Sequence, residues 1–471
     1  MPKGAILHCH MDATVDAKWV IERALQEPNL YMLASGSLST RKSLYTSQVL
    51  FRLLSDSPDL DSDGGFERAS ASAQDIYSET YKPNTWVPLH LLRSRFPHGN
   101  VYHPAPPGYE EGLSCYSDPS SPQVAFDAYV HSLITLTPVP IDYAPPIKTS
   151  REAWKKFLST FIIIGGLSQN ETILKDYLKK SFQTLIDDKV AYVEARINFF
   201  TEKFVDAAGH LTLTHADILT IFQSTLKEVQ RKLPAGATFD AKVIYSTVRI
   251  IDNEQLRWYV EDCISLKQQF PDLLVGFDLV GHEDPGVTLK EYAPELLRMN
   301  QRVADLKLNL PLVLHAGETT SDGDGTDENL FDAILLGTKR IGHGFSLIKH
   351  PLLIDMVKER GICIESCPIS NQLLRFASST SVHPVIPLLA RSVPIAISND
   401  DPTQFQNAGL TPDFYQLLSA SDHFTLASLG VLARNSIKYS LMDDKQKNAT
   451  LAAWDRDWTV FVALVAATAT S

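Results

Sequence analysis

The sequences RIGHG (residues 340–344), GICIESCP (361–368) and VPIAISND (393–400) follow one another in the last third of the chain. They contain short apolar segments, often β-branched and bounded by Gly, Pro, Asp or Asn, which are typical of strands buried in a parallel sheet. Five more runs of this kind precede them. The eight predicted strands are Ala5–His10, Val190–Arg196, Ala241–Ser246, Leu274–Gly281, Leu312–Glu318, Arg340–Gly344, Gly361–Pro368 and Val393–Asp400.

Helical patterns separate most of these strands. Tyr177–Asp187 and Asn253–Gln269 are two examples, and such alternation indicates βαβ units. Eight of them favour an α/β fold with a closed (β/α)8 TIM barrel, because a doubly wound open sheet accounts less well for polar residues at the strand ends. Gln404–Ala467 has helical patterns and is expected to close the barrel. We therefore predict one domain over residues 1–471.

A long insertion separates the first and second predicted strands. Residues 55–122 are rich in Ser, Pro, Gly and Asp. The run Ala69–Ala73 has no apolar face to bury, and Pro104–Gly108 resists both helix and strand. We expect an irregular insertion over the barrel face. A polyproline II recognition segment at Pro104–Pro107 is the alternative for that part, without supporting context in the sequence.

The amino-acid composition disfavours some classes of binding partner. Hydrophobic residues make up 44% and charged residues 21% of the 471 residues, as in ordinary globular proteins. The formal net charge of −12 disfavours nucleic acid or an anionic membrane as the partner, since both require clustered Lys and Arg. The five cysteines form no CxxC pair and do not indicate a disulfide framework. The sequence contains no signal-peptide pattern and no long apolar run, which predicts a cytoplasmic protein as the chain stands.

Polar side chains occupy the ends of several predicted strands. His8 and His10 end the first strand, and their spacing places them on one face. His315 ends the fifth strand, His343 lies in the sixth, and Asp400 ends the eighth. A lone strand-end histidine is more often structural than a ligand, but strand ends meet at the active face of a barrel. Imidazoles with one carboxylate suit Zn²⁺, which lowers the pKa of a bound water to about 7.

With these motifs the sequence resembles the adenosine deaminases, and within them the secreted adenosine-deaminase-related growth factors. The resemblance spans nearly the whole chain. The matching stretches are Met1–Asp12, Gly276–Asp284, His315–Glu318, Arg340–Phe345, Cys367–Asn371, Ser398–Pro402 and Asn435–Tyr439.

The resemblance implies a zinc-dependent hydrolase that converts adenosine, and 2′-deoxyadenosine, to inosine and ammonia. The zinc ligands that it implies, for one ion per chain, are His8, His10, His315 and Asp400. Glu318 is implied as the proton donor to purine N1, and His343 as the group that orients and helps to deprotonate the water. The implied substrate contacts are Asp401 at N7, the Gly281 N–H at N3, and Asp12 and Trp154 at the ribose.

Two other classes of function remain open at this stage. A related aminohydrolase acting on AMP, adenine or an N6-substituted nucleoside is one, although no basic cluster for a phosphate lies beside these motifs. A zinc-containing signalling protein without turnover is the other, and the presence of Glu318 and His343 disfavours it. The His-x-Glu and Pro-Cys-x-x-Cys signature of the cytidine-type zinc deaminases is absent.

The sequence departs from the growth-factor branch in two ways. Those relatives usually carry a signal peptide and an N-terminal helical segment used in dimerisation, whereas Met1 here precedes the first-strand motif directly. Cys115 also has no evident disulfide partner. Both departures count against secretion and against a homodimer of the family type. Secretion stays the alternative to a cytoplasmic location, and a homodimer stays the alternative to a monomer. Neither departure touches the predicted metal site.

Overall fold

The computed structural model describes residues 1–56, 64–69, 75–97, 121–136, 147–234, 236–422 and 424–469. Its strands are β1 Gly4–His10, β2 Leu30–Ala34, β3 Val49–Leu53, β4 Val87–Pro88, β5 Val190–Asn198, β6 Phe204–Val205, β7 Leu211–Leu213, β8 Asp240–Val248, β9 Leu274–Val280, β10 Leu314–Ala316, β11 Arg340–His343, β12 Cys363–Ser366 and β13 Ile395–Ile397.

The helices lie mostly between and around these strands. They are α1 Ala17–Ala24, α2 Arg41–Thr46, α3 Leu89–Arg95, α4 Pro122–Ile134, α5 Ser150–Ser168, α6 Glu171–Asp187, α7 His215–Gln230, α8 Asn253–Gln269, α9 Leu289–Asp305, α10 Asn329–Leu335, α11 Pro351–Glu359, α12 Pro368–Leu373, α13 Val385–Ala390, α14 Pro402–Phe405, α15 Thr411–Ala420, α16 Leu426–Lys438 and α17 Asp444–Ala469.

The eight predicted strands are all present and form the barrel. Strands β1, β5, β8 and β9 make one parallel sheet, and β10 to β13 make another. A bridge between Phe277 and Leu312 joins β9 to the segment before β10, and a bridge between Cys9 and Asp400 joins β1 to the segment after β13. The predicted α/β class with a TIM barrel is confirmed, and the carboxyl ends of its strands share one face.

Helix boundaries follow from the capping residues. Helix α8 spans the predicted range because Asp252 accepts hydrogen bonds from the backbone N–H groups of Glu254 and Gln255. Helix α6 begins six residues before the predicted Tyr177, since Asn170 caps it by accepting from Ile173 N–H. Helix α6 therefore begins at its capping residue, which precedes the apolar pattern used for the prediction.

The region after β13 consists of helices, as predicted for Gln404–Ala467. Helix α16 packs against β1, where Ser436 Oγ accepts a hydrogen bond from Ala5 N–H at 2.8 Å. Gly4 permits this approach, because a Cβ at that position would lie 2.2 Å from the Ala433 carbonyl oxygen. Among the described residues, no helix is long and apolar enough to cross a bilayer.

The predicted irregular insertion at residues 55–122 is only partly described. Its described part includes β4 and α3, so the expectation of irregular structure is wrong for residues 87–95. Val87 pairs with Met32 of β2 in a small antiparallel sheet, and Leu89 and Leu92 are buried, which explains why this stretch is ordered. Pro104–Gly108, Cys115 and all but the first residue of Ala69–Ala73 lie outside the described residues.

Candidate active site

Four predicted metal ligands converge at the carboxyl ends of the barrel strands. His8 and His10 come from β1, His315 from β10, and Asp400 follows β13. Asp400 Oδ1 lies 3.1 Å from His8 Nε2 and 3.3 Å from His10 Nε2. One ligand atom from each of the four residues lies within 4.8 Å of every other, and all four residues are buried. This spacing allows the four atoms to bind a single ion.

The donor atoms of this cluster are well suited to a metal. His8 Nε2 and Asp400 Oδ1 are buried without a hydrogen-bond partner among the described residues. Leaving polar atoms buried and unpaired is costly, so such atoms indicate a bound group. Three imidazoles and one carboxylate form a donor set that fits Zn²⁺. The residues present therefore fit the zinc ion that the sequence predicted.

A second grouping overlaps the first and contains a cysteine. His8, His343, Cys367 and Asp400 also bring ligand atoms within 4.8 Å of one another. Burial, followed by the charge of Asp400, raises the pKa of the Cys367 thiol well above its usual value. Metals bind the thiolate, so the imidazole-rich set is the better site. The sequence analysis did not place Cys367 beside the predicted metal ligands.

Backbone geometry around the site is unusual at two functional positions. His343 and Asp400 adopt φ angles of 60° and 58°, in the left-handed region that favours glycine. Such conformations cluster at functional sites. The residue before His343 is Gly342, and a Cβ there would lie 3.0 Å from His8 Cε1 and 3.2 Å from His315 Cα. A glycine is needed for these two histidines to approach β11.

Two buried carboxylates orient the rings of His8 and His315 by contacting their Nδ1 atoms. Glu365 Oε2 lies 2.8 Å from His8 Nδ1, and Asp278 Oδ2 lies 2.6 Å from His315 Nδ1. Arg196 donates to both carboxylates, at 2.6 Å to Asp278 and 2.7 Å to Glu365. Carboxylate acceptors at Nδ1 leave the Nε2 lone pairs directed at the ligand cluster.

Positive groups compensate the two buried carboxylates of this network. Burial alone would raise the pKa of both carboxylates. The pKa of Asp278 is nevertheless held well below its usual value by His315 and then Arg196, and that of Glu365 by Arg196 and then Arg340. All three residues are fully buried. The sequence analysis did not identify any of the three, although each is a charged residue inside an apolar strand, which is the signal that could have found them.

Glu318 and His343 face each other beside the ligands. Glu318 Oε1 lies 3.2 Å from His343 Nδ1, and His343 Nε2 lies 3.8 Å from Asp400 Oδ2. Burial, together with the charges of Asp400 and Glu283, raises the pKa of Glu318 well above its usual value. A carboxyl group in this environment is held in its protonated form and can act as an acid.

The predicted substrate contacts lie on four separate elements. Asp12 follows β1 and accepts a hydrogen bond from Gln169 at 3.2 Å. Asp401 is buried, and burial together with the charge of Asp400 raises its pKa well above the usual value. Gly281 directly follows β9 and has a φ of 108°, a conformation that suits glycine.

Trp154 reaches the same loop as Gly281 from helix α5. Its indole stacks on the His282 ring, with centroids 4.5 Å apart and 5° between the planes. The Trp154 Nε1 atom is buried and makes no hydrogen bond to the described residues. The indole N–H is therefore available to a ligand, which is compatible with the ribose contact that the resemblance implied.

Comparison with known proteins places this site in context. Residues 140–456 match the family model described as adenosine deaminase. Adenosine deaminase from Lutzomyia longipalpis is 32% identical over 469 residues, which cover 98% of this chain and 78% of that protein. Human adenosine deaminase 2 is 36% identical over 319 residues, which cover 66% of this chain and 60% of that protein.

Solved structures share the fold at lower identity. Arabidopsis ADAL in complex with GMP superposes with a TM-score of 0.61 at 14% identity, covering 97% of each chain. Adenine deaminase from Arthrobacter aurescens gives 0.58 at 15% identity, covering 97% of this chain and 99% of that one. An amidohydrolase from Burkholderia ambifaria with bound Zn gives 0.57 at 16% identity, covering 99% and 93%.

Proposed function

This chain belongs to the adenosine deaminase family, and from that premise we propose that it hydrolyses adenosine and 2′-deoxyadenosine to the corresponding inosine and ammonia with one zinc ion. Relatives named adenosine deaminase match most of its length, so it is an enzyme that deaminates adenosine-like purines. The observation that carries the finer proposal is the position of Glu318, an acid beside the four-ligand cluster.

The four proposed ligands would bind the metal, and one of them, Asp400, would also orient the water. His8, His10, His315 and Asp400 would hold the zinc ion. A zinc ion bound there supplies the Lewis-acid chemistry that makes water nucleophilic near neutral pH. The second carboxylate oxygen of Asp400 faces His343 Nε2, so the two groups can orient a water molecule between them.

Glu318 would supply the proton that the purine ring needs. Addition of water at C6 pushes an electron pair onto N1, and the protonated Glu318 carboxyl delivers its proton there. The C6–N bond then breaks, and the amine leaves as ammonia with one proton of the attacking water. The other water proton leaves the C6 hydroxyl as the carbonyl of inosine forms, and it returns to the Glu318 carboxylate. Glu318 follows the ligand His315 by three residues, which keeps the acid close to the reacting carbon.

The remaining contacts would fix the purine. Asp401 is held in its protonated form by burial beside Asp400, so it can donate a hydrogen bond to N7, a ring nitrogen without hydrogen. The Gly281 N–H would donate to N3. Asp12 and the indole N–H of Trp154 would take the ribose hydroxyl groups. Asp12, Asp401 and Trp154 each have a buried side-chain polar atom with no hydrogen-bond partner among the described residues.

The nucleotide alternative fits this set of side chains less well. A phosphate is recognised by Arg or Lys, and the residues proposed to contact the substrate include neither. Arabidopsis ADAL, solved with GMP, shares the fold at 14% identity, which supports the architecture and not the substrate. Adenosine and its deoxy form are therefore the substrates that we propose.

An absorbance assay tests this function directly. Purified protein supplemented with zinc is offered adenosine, 2′-deoxyadenosine, adenine, AMP and N6-methyladenosine at equal concentration, with released amine measured in parallel. We expect turnover of the two nucleosides and little of the others. Faster turnover of AMP, adenine or N6-methyladenosine would replace the proposed substrate. No turnover of any purine by zinc-containing protein would favour the signalling protein.

A further inference from the structure

Two buried residues outside the proposed ligands and substrate contacts lie behind His343. Asn371 is in helix α12, and His383 lies two residues before helix α13. Asn371 Nδ2 is 3.2 Å from His343 Nδ1, and Asn371 Oδ1 is 3.0 Å from His383 Nε2. The amide of Asn371 therefore connects the two imidazole rings.

The proton position on His383 follows from its backbone neighbour. The Val385 N–H donates to His383 Nδ1 at 3.0 Å, and a backbone N–H can only donate, so Nδ1 carries no proton. Burial lowers the pKa of His383 to about 4, so the ring is neutral at pH 7. A neutral imidazole has one N–H, which must then be at Nε2 and must donate to Asn371 Oδ1.

The same reasoning fixes the amide of Asn371. Its oxygen faces the N–H of His383, so its NH₂ group faces the active site. The orientation of an Asn amide is normally assigned and not observed, but here a chain of hydrogen bonds that begins at a backbone amide determines it. The NH₂ group is 3.2 Å from His343 Nδ1 and 3.4 Å from Glu318 Oε1.

We propose that Asn371, held by His383, is a positioning residue that fixes His343 in the tautomer with an unprotonated Nδ1 and a protonated Nε2. Asn371 Nδ2 and Glu318 Oε1 both lie 3.2 Å from Nδ1. The NH₂ group can only donate, and the Glu318 carboxyl also donates in the protonated form proposed above, so both neighbours favour a lone pair at Nδ1. The Nε2–H of His343 then faces Asp400 Oδ2, which at 3.8 Å is beyond the reach of a direct hydrogen bond.

This tautomer changes the role that the resemblance implied for His343. A neutral imidazole whose Nε2 already carries a proton cannot remove a proton from water at that atom. His343 therefore orients the nucleophilic water by donating to it. The statement about water rests on the proposed deaminase function, whereas the tautomer is a property of the folded chain with or without a substrate.

Nitrogen NMR of protein labelled with ¹⁵N-histidine tests the tautomer. The signals of His343 are identified by their loss in His343→Gln. We expect an Nε2–H tautomer in the zinc-supplemented wild type. In Asn371→Asp a carboxylate oxygen replaces the NH₂ group, so we expect Nδ1 of His343 to gain a proton. Asn170→Asp is the matched control, because Asn170 is buried, its oxygen caps helix α6 and Asp can replace it there.

Kinetics give a second measurement on the same variants. We expect Asn371→Asp to lower kcat by about 10- to 100-fold with little change in KM. The variant replaces the donor to His343 Nδ1 and to Glu318 Oε1, two groups proposed to act in the reaction itself, and leaves the proposed ribose contacts unchanged. A wild-type His343 with its proton on Nδ1, or a tautomer unchanged by Asn371→Asp, would overturn the inference. Absence of adenosine turnover with the expected tautomer would overturn the proposed function alone.

Discussion

Oδ2 of Asp278 lies 2.6 Å from Nδ1 of His315. The same oxygen accepts a hydrogen bond from Arg196, whose guanidinium also binds the carboxylate behind His8. One buried cation therefore orients a histidine of β1 and a histidine of β10. Because the two strands are on different sheets of the barrel, this network couples the positions of both proposed ligands.

Replacement of Arg196 should weaken metal binding and folding together. Arg196→Met leaves Asp278 and Glu365 as buried carboxylates with less compensating charge, which costs on the order of 3–5 kcal/mol of stability. We expect zinc affinity, measured by competition with a chelator, to fall by about 10- to 100-fold for the loss of such outer contacts. Arg257→Met is the control, because Arg257 is an exposed arginine of helix α8 that also pairs with a carboxylate, that of Glu295. Wild-type zinc affinity in Arg196→Met would contradict the coupling.

A methyl group at Gly342 should disturb the same histidines from the other side. In Gly342→Ala the new Cβ would lie 3.0 Å from His8 Cε1, so His8 or β11 must shift. Overpacking of this kind costs about 1–3 kcal/mol. We expect a lower melting temperature and weaker zinc binding. Gly36→Ala has room, with its nearest neighbour at 3.8 Å, and should change neither. Equal melting temperatures for the two variants would refute the steric argument.

The barrel could be read from the sequence because its strands are buried on both faces. Gly361–Pro368 and Val393–Asp400 are mostly apolar, and the structure places β12 and β13 inside them. Strands β6 and β7 have two and three residues and are too short for a periodic pattern to indicate. The pairing of β2 with β3 depends on contacts between distant segments, which local propensity does not reveal.

In the candidate site, too, some features were predictable from the sequence and others were not. His8, His315 and Asp400 stand at the ends of predicted strands, where the barrel topology alone predicts that they meet. Arg196 and Glu365 are 169 residues apart, and their ion pair has no spacing rule in the sequence. A charged residue within an apolar strand indicates a partner but does not identify it. The network behind the ligands therefore required the three-dimensional structure.

Metal removal should destabilise the protein, because the ligands tie β1 to strands on the opposite sheet. Binding to the folded state alone contributes about 4 kcal/mol when free zinc exceeds its dissociation constant 1,000-fold. We expect a chelator to lower the melting temperature in calorimetry and added zinc to restore it. His10→Gln removes one ligand and should shrink the difference between the two curves. Superimposable curves with and without metal would count against a structural role for the ion.

Lys156 should make stability depend on pH in the alkaline range. Its ammonium group donates to the carbonyl oxygens of Ser132 and Leu133 at the end of α4, and burial lowers its pKa to about 8. The unfolded chain, with a pKa near 10.4, binds more protons between these values, so this group adds stability as pH rises from about 8 to 10. The full effect is on the order of 3 kcal/mol.

A pair of variants isolates this contribution from other titrations. The free energy of unfolding is measured by denaturant at pH 7 and pH 10 for wild type, Lys156→Met and Lys155→Met. We expect the stability of wild type relative to Lys156→Met to increase at the higher pH. Lys155 is an exposed neighbour, so its variant should follow wild type at both values. A difference between wild type and Lys156→Met that stays constant with pH would exclude a depressed pKa at Lys156.

Glu318 and Asp400 should separate proton transfer from metal binding. Glu318→Gln keeps the shape of the side chain and a hydrogen bond to N1 but cannot deliver a proton, so we expect kcat to fall by about 10²- to 10⁴-fold or more. Zinc content and melting temperature should stay near wild type, since Glu318 is not one of the four clustered ligands. Asp400→Asn, by contrast, should lower both zinc affinity and kcat, because its carboxylate lies 3.1 Å from His8 and 3.3 Å from His10. Near wild-type turnover of adenosine by Glu318→Gln would show that another group protonates N1, and the acid role proposed for Glu318 would be wrong.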